Sequence, residues 1–179
     1  VLPVISNIIV TRKLNEDEIN AHNFKTFSPI ANTKNLLYYY RKLPDNRILF
    51  GTRGDLTGSD QSNLDMSKKM EKFLKDIFPK WSNVTIDYNW RGLIALSQKL
   101  TPSIGKIEGE EIYYGFGYNG VGVSAAPWAG KQLSKLVFSS NSKELDISKI
   151  YKGLPEKFIF PQLRTFYFRL AVWFYAIKD

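Results

Sequence analysis

The strand-like run Ile112-Tyr113-Tyr114-Gly115-Phe116 passes directly into Gly117-Tyr118-Asn119-Gly120-Val121-Gly122, and a helical pattern of small residues follows over 124–137. This order of strand, glycine turn and helix constrains the chain more than any other feature. Glycines let the backbone approach a ligand closely, and the helix start presents unpaired N–H groups and a positive dipole end. An anion or a polarised carbonyl suits such a place, although a plain strand-to-helix turn has the same composition. Gly115, Gly117 and Gly120 spell GxGxxG, but no second strand ending in an acidic residue follows about 20 positions later, so a complete dinucleotide-binding βαβ unit is not expected here. Ser124 is the expected N-cap, which places Pro127 in the first turn, where its missing N–H costs nothing.

Other segments supply a sheet. Residues 3–11 are rich in β-branched side chains and read as a buried strand. Residues 36–41 and 47–51 flank Pro44-Asp45-Asn46, which is hairpin chemistry. Over 64–78, Met66, Met70, Phe73, Leu74 and Ile77 fall at helical spacing before Pro79. Residues 84–90 and 92–96 read as two further strands, residues 101–105 as a turn, and residues 12–33 as irregular. Phe166, Leu170, Trp173, Phe174 and Ile177 mark a helix over 162–178. The predicted class is α+β, a mostly antiparallel mixed sheet with flanking helices.

Composition closes off several functions. Hydrophobic residues at 44% and aromatics at 15% exclude a disordered chain. Without cysteine there is no disulfide framework, thiolate metal site or cysteine nucleophile, and a reducing, cytoplasmic setting is the expectation. The apolar stretch 166–177 is interrupted by Arg169 and falls short of the ~20 residues of a membrane span. A net charge of +8 raises a basic nucleic-acid-binding domain as one reading, but the lysines and arginines are scattered without a run.

Candidate chemistry is sparse. His22 is the single histidine and no GxSxG accompanies it, so a serine triad is not expected. No metal site is expected either. The clusters Glu16-Asp17-Glu18 and Glu108, Glu110 and Glu111 suit a solvated face on loops. Arg41, Arg47 and Arg53 gather around the hairpin, where they read as a carboxylate clamp or as solvated strand ends.

Taken in order, these pieces resemble the D-amino-acid oxidase and glycine oxidase superfamily of FAD-dependent oxidoreductases, in its gamma-glutamylputrescine oxidase-like branch. The similar motifs are Tyr39-Tyr40-Arg41 with Asp45-Asn46-Arg47-Ile48-Leu49-Phe50-Gly51 and Arg53, then Phe78-Pro79, Trp90-Arg91-Gly92, Pro102-Ser103-Ile104-Gly105 and Gly117-Tyr118-Asn119-Gly120-Val121-Gly122. They run from about Val1 to Val137, and 173–179 is similar to the family's closing helix. Two departures stand out. Ser97-Gln98-Lys99 replaces the usual Thr-x-Asp, and Ile94 stands where glycine oxidase-like members hold a carboxylate with arginine, which favours an amine over an amino acid.

The resemblance implies a substrate-binding sheet domain over 1–95 with helix 64–78, and over 96–179 a piece completing an FAD domain, with helix 162–178. It implies FAD contacts from Pro102, Ile104, Gly105, Gly117, Tyr118, Asn119, Gly120, Val121 and Gly122, and substrate contacts from Tyr40, Arg53 and Trp90; no catalytic acid or base is assigned. The implied reaction is hydride transfer from an amine or amino acid to FAD. The family's N-terminal strand-GxGxxG-helix unit is missing from this sequence, so an incomplete, inactive chain with weak FAD binding and a tendency to self-associate is expected, unless that unit is supplied in cis or in trans. A non-catalytic binding module derived from the family is the alternative.

Overall fold

The computed structural model describes residues 1–53, 55–138 and 147–179. In chain order the elements are β1 (Leu2–Thr11), α1 (Glu16–Ala21), β2 (Ile30–Ala31), β3 (Tyr38–Lys42), β4 (Ile48–Arg53), α2 (Asp60–Ile77), β5 (Ile86–Leu96), β6 (Ser103–Lys106), β7 (Tyr113–Phe116), α3 (Gly122–Phe138) and α4 (Arg164–Lys178). The class is α+β. The described residues divide into two compact units, one of Ile5–Leu93 with Phe168–Asp179 and one of Val1–Val4 with Ile94–Tyr167. The end of α4 thus groups with the sheet, whereas the sequence reading placed all of 96–179 together. Among the described residues no helix is long and apolar enough to cross a membrane.

The larger sheet has the order β2-β3-β4-β1-β5. β3 and β4 are the expected hairpin, antiparallel with Tyr40 opposite Phe50, and β4 pairs antiparallel with β1, Ile9 opposite Phe50. The turn closes through Asn46 N–H to Leu43 C=O at 3.0 Å, with Asn46 at φ 65°. Asparagine tolerates that left-handed conformation better than most residues.

α2 lies on one face of this sheet. Met66, Met70 and Leu74, four residues apart, bury against Ile9, Ile48 and Phe50. Truncating Met70 or Leu74 to alanine would cost about 2–5 kcal/mol. The helix begins earlier than its apolar pattern because Ser59 caps it, accepting from Ser62 N–H at 3.1 Å. Phe24, Tyr40, Phe78 and Trp81 extend the same core, with Phe78 and Trp81 stacked at 4.2 Å between centroids.

Three expectations need correction in these elements. Residues 12–33 contain α1, whose N-cap Asn15 accepts from Glu18 N–H at 2.8 Å while the Glu18 carboxylate accepts from Asn15 N–H at 3.0 Å. Glu16-Asp17-Glu18 is therefore a first helical turn, where negative charge meets the positive dipole end. The two runs across 84–96 form one strand, β5, because Gly92 continues the extended backbone. Residues 103–106 are the strand β6, paired antiparallel with β7, Ile104 opposite Gly115.

In the smaller unit α3 packs on that hairpin through Ala129, with Leu133, Leu136 and Tyr118 around the fully buried Ile104. α3 starts at Gly122, so Ser124 lies inside it, its hydroxyl donating to Val121 C=O at 3.1 Å, and Pro127 sits in the helix interior. The helix tolerates this because the C=O that a residue-127 N–H would have met belongs to Val123, which is 97% exposed and open to water.

Candidate functional site

The glycine turn and the proline turn of the smaller unit are brought together. Pairing of β6 with β7 sets Ser103 opposite Phe116, immediately before Gly117. Gly117, Asn119 and Gly120 take φ of 71°, 53° and 94°. This succession of left-handed residues folds the chain back so that the Asn119 side chain reaches the other turn. Its Oδ1 accepts from Ser97 N–H at 2.9 Å, and its Nδ2 donates to Gly117 C=O. Ser97 in turn donates from its hydroxyl to Thr101 C=O at 3.1 Å. Residues 97–101 and 117–119 are thereby locked as one piece.

Beyond that lock the start of α3 is open. Val121 is 56% exposed, and no described side chain accepts from Gly122 or Val123 N–H. Ser103 Oγ is buried with no hydrogen-bond partner among the described residues. Pro102 and Ile104 are buried, and Ile104 is core rather than a contact surface. Gly105 lies under Tyr114, whose hydroxyl would stand 2.6 Å from a Cβ there. The ring of Tyr118 packs with the core around Ile104. The expected contact residues thus split into an open loop, Gly117 to Gly122, and a hairpin that supports it.

In the larger unit the register decides which side chains face away from α2. Tyr38 and Tyr40 oppose Thr52 and Phe50, and Phe50 is core, so Tyr40 lies on the α2 side and stacks on Phe50 at 6.0 Å. Alternation puts Tyr39, Gly51 and Arg53 on the other face. Tyr39 faces Gly51, and its hydroxyl lies 2.9 Å from Ser6 Oγ; Ser6 is the register partner of Arg53. Tyr39, rather than Tyr40, therefore shares the open face with Arg53. Trp90 belongs there too, since its neighbours turn toward α2: Asn89 Nδ2 donates to Ser67 Oγ at 3.4 Å and Arg91 Nη1 to Ser59 C=O at 2.7 Å. Trp90 is 45% exposed.

The three hairpin arginines separate by role. Arg47 is a tether, donating to Asp87 at 2.6 Å and to Thr11 C=O at 2.9 Å. Arg41 is exposed, and the Arg53 guanidinium has no ion-pair or hydrogen-bond partner among the described residues. Arg91 clamps β5 to the start of α2 through Asp60 and the buried Asp55. Burial alone would raise the Asp55 carboxyl, but hydrogen bonds from Ser62, Gly58, Thr57 and Arg91 outweigh it and hold the group below its ordinary value. His22 is structural: its Nε2 accepts from Lys80 N–H at 3.1 Å, and its ring meets Phe78 and Trp81 edge-on. Among the described residues no three His, Asp or Glu side chains gather as metal ligands.

A family model described as FAD dependent oxidoreductase, DAO, matches residues 1–136. The chain belongs to this family of FAD-dependent oxidoreductases. Two curated members are similar to it: a probable oxidoreductase OrdL of Haemophilus influenzae, 33% identical over 154 residues, and the gamma-glutamylputrescine oxidoreductase of Escherichia coli, 28% identical over 181 residues. They cover 86% and 99% of this chain, while the chain spans 33% and 40% of their lengths. Among solved structures, glycine oxidase from Geobacillus kaustophilus superposes with a TM-score of 0.62 at 15% identity, covering 88% of this chain and 39% of its own. L-proline dehydrogenase from P. horikoshii does so at 0.60 and 21%, covering 79% and 37%. Both likenesses are of fold.

Proposed function

We propose that this chain forms the substrate-side sheet and the flavin-edge loop of an FAD-dependent oxidoreductase that oxidises an amine. The locked pair of turns carries the reading: Asn119 holds the glycine turn against residues 97–101 and leaves the N–H groups of Gly122 and Val123 open at the start of α3. Exposed N–H groups at a positive helix end fit a flavin ring edge that gains negative charge. FAD, when bound, accepts the hydride from the substrate carbon beside nitrogen.

The chain's own residues then divide the remaining work. Gly117, Gly120 and Gly122 allow close approach of the backbone, and Asn119 sets the loop. The hairpin residues Pro102, Ile104 and Gly105, with Tyr118, support it. On the open sheet face Tyr39, Arg53 and Trp90 meet the substrate: Trp90 offers an apolar wall, and Arg53 a cation for a polar or anionic tail distant from the reacting amine. Ile94 in place of the carboxylate-binding arginine supports an amine over an amino acid.

Nucleotide affinity in this reading comes from a strand-GxGxxG-helix unit supplied in cis or in trans, since a flavin held by its ring alone loses the pyrophosphate contacts. An FAD titration of the chain followed by flavin fluorescence tests this. The expected result is weak or no binding, rising to tight binding and amine-dependent loss of the oxidised flavin absorbance when the nucleotide-binding unit is present. Tight binding by the chain alone would overturn the divided site. A complete protein that binds FAD yet leaves it oxidised with every amine and amino acid would overturn the activity.

A further inference from the structure

The smaller unit contains a cavity of about 340 Å³, lined in part by Gln98 and Lys99 of the locked turn but by none of the residues proposed to face the flavin or the substrate. Lys99, Lys149 and Lys152 line it, with Glu156 as the one acidic lining residue and Ile150 and Leu154 as apolar ones. The two segments that form it are fastened together. Thr101 Oγ1 donates to Ile150 C=O at 3.2 Å, Lys99 Nζ donates to Lys152 C=O at 3.4 Å, and the fully buried Ile104 forms an isolated parallel bridge with Lys152. The Tyr151 ring meets Trp128 at 5.0 Å and anchors the same segment to α3.

These links hold together the two segments that carry the lining lysines. Neither Lys99 nor Lys149 forms an ion pair among the described residues. A multiply charged anion would meet two lysines of the lining that carry no carboxylate partner. Burial pushes the Lys99 ammonium below its ordinary value, a loss that a nearby oxyanion would offset. Ile150 and Leu154 give the same space an apolar side, which a bare inorganic ion would leave unused.

We propose that this cavity binds a phosphomonoester, with its phosphoryl oxygens at the Lys99 and Lys149 ammonium groups and its organic body against Ile150 and Leu154. Lysine suits a phosphoryl dianion as a compact point charge.

The test is a calorimetric titration of the purified chain at constant ionic strength with phenyl phosphate, inorganic phosphate and benzoate, alongside the variants Lys99→Gln, Lys149→Gln and Lys131→Gln. Lys131 lies on α3 outside the cavity, so its variant removes the same charge from elsewhere. Phenyl phosphate is expected to bind about tenfold more tightly than benzoate and more tightly than inorganic phosphate, and to weaken about tenfold in the Lys99 and Lys149 variants but not in Lys131→Gln. Lys149 is exposed, so its variant keeps the test decisive if Lys99→Gln fails to fold. Inorganic phosphate binding as well as the ester would make this a simple anion site and overturn the proposed class. Equal losses in all three variants, benzoate matching phenyl phosphate, or no binding would overturn the site.

Discussion

The ring of Tyr39 occupies the space that a side chain at Gly51 would need: a Cβ there would overlap the ring carbons Cε2 and Cζ. The glycine is what lets the tyrosine lie across β4 and bring its hydroxyl to Ser6, beside the register position of Arg53. Gly51→Ala should destabilise the larger unit by about 1–3 kcal/mol in urea unfolding. In a Tyr39→Ala background the same change should cost less. Strictly additive losses would show that the ring is not the obstacle.

Glu18 joins three interactions in one carboxylate. It accepts from Arg12 at 2.6 and 2.8 Å and from Asn15 N–H, and the bonds from Arg12, foremost, hold its pKa at about 2 against an ordinary 4.5. A folded-state value below the unfolded one contributes stability that is present above pH 4.5 and is lost as pH falls from there toward 2. Glu18→Gln should therefore cost about 1 kcal/mol at pH 7 and progressively less toward pH 2, read by urea midpoints across that range. A cost independent of pH would mean that the amide loses only shape and capping.

Asn119 performs two separable tasks, a left-handed backbone and a side-chain tether to Ser97. Asn119→Gly keeps the first and drops the second, while Asn119→Ala drops both. Thermal unfolding should rank the wild type above Gly and Gly above Ala, the last step being about 1 kcal/mol. Alanine equal to glycine would show that the backbone conformation carries no strain.

On the proposed reading, apolar surface of this chain meets another domain in the intact protein. Leu170, Trp173, Phe174 and Ile177 are all exposed along the part of α4 that groups with the sheet. The isolated chain should show an apparent mass that rises with concentration on sizing, reduced by Trp173→Lys. A single monomer peak at high concentration would count against this.

The sequence made α2 plain because Met66, Met70 and Leu74 repeat at one helical face, and the β3–β4 hairpin plain because Pro44-Asp45-Asn46 lies between two β-branched and aromatic runs. It hid α1, whose six residues carry no buried side chain; the signal present was the Asn15 to Glu18 capping spacing. It also hid β6, where Pro102 and Gly105 read as a turn although Pro102 only precedes the strand and Gly105 fits within a two-stranded pair. The glycine turn could be located from composition, yet the choice between Tyr39 and Tyr40 could not. A single residue of register exchanges the faces of a strand, and the register was set by partners on β4.

The Asp179 carboxylate accepts from Leu36 N–H at 2.7 Å and from Asn35 N–H at 3.1 Å, closing the bend that leads into β3. A link across 143 positions imposes an order in time. The β3–β4 hairpin and the local Asn32–Tyr38 closure of the bend need only nearby residues, but Asn35 and Leu36 gain their fastening only when synthesis has reached Asp179, so a chain clipped before Asp179 should open at that tip to proteases first.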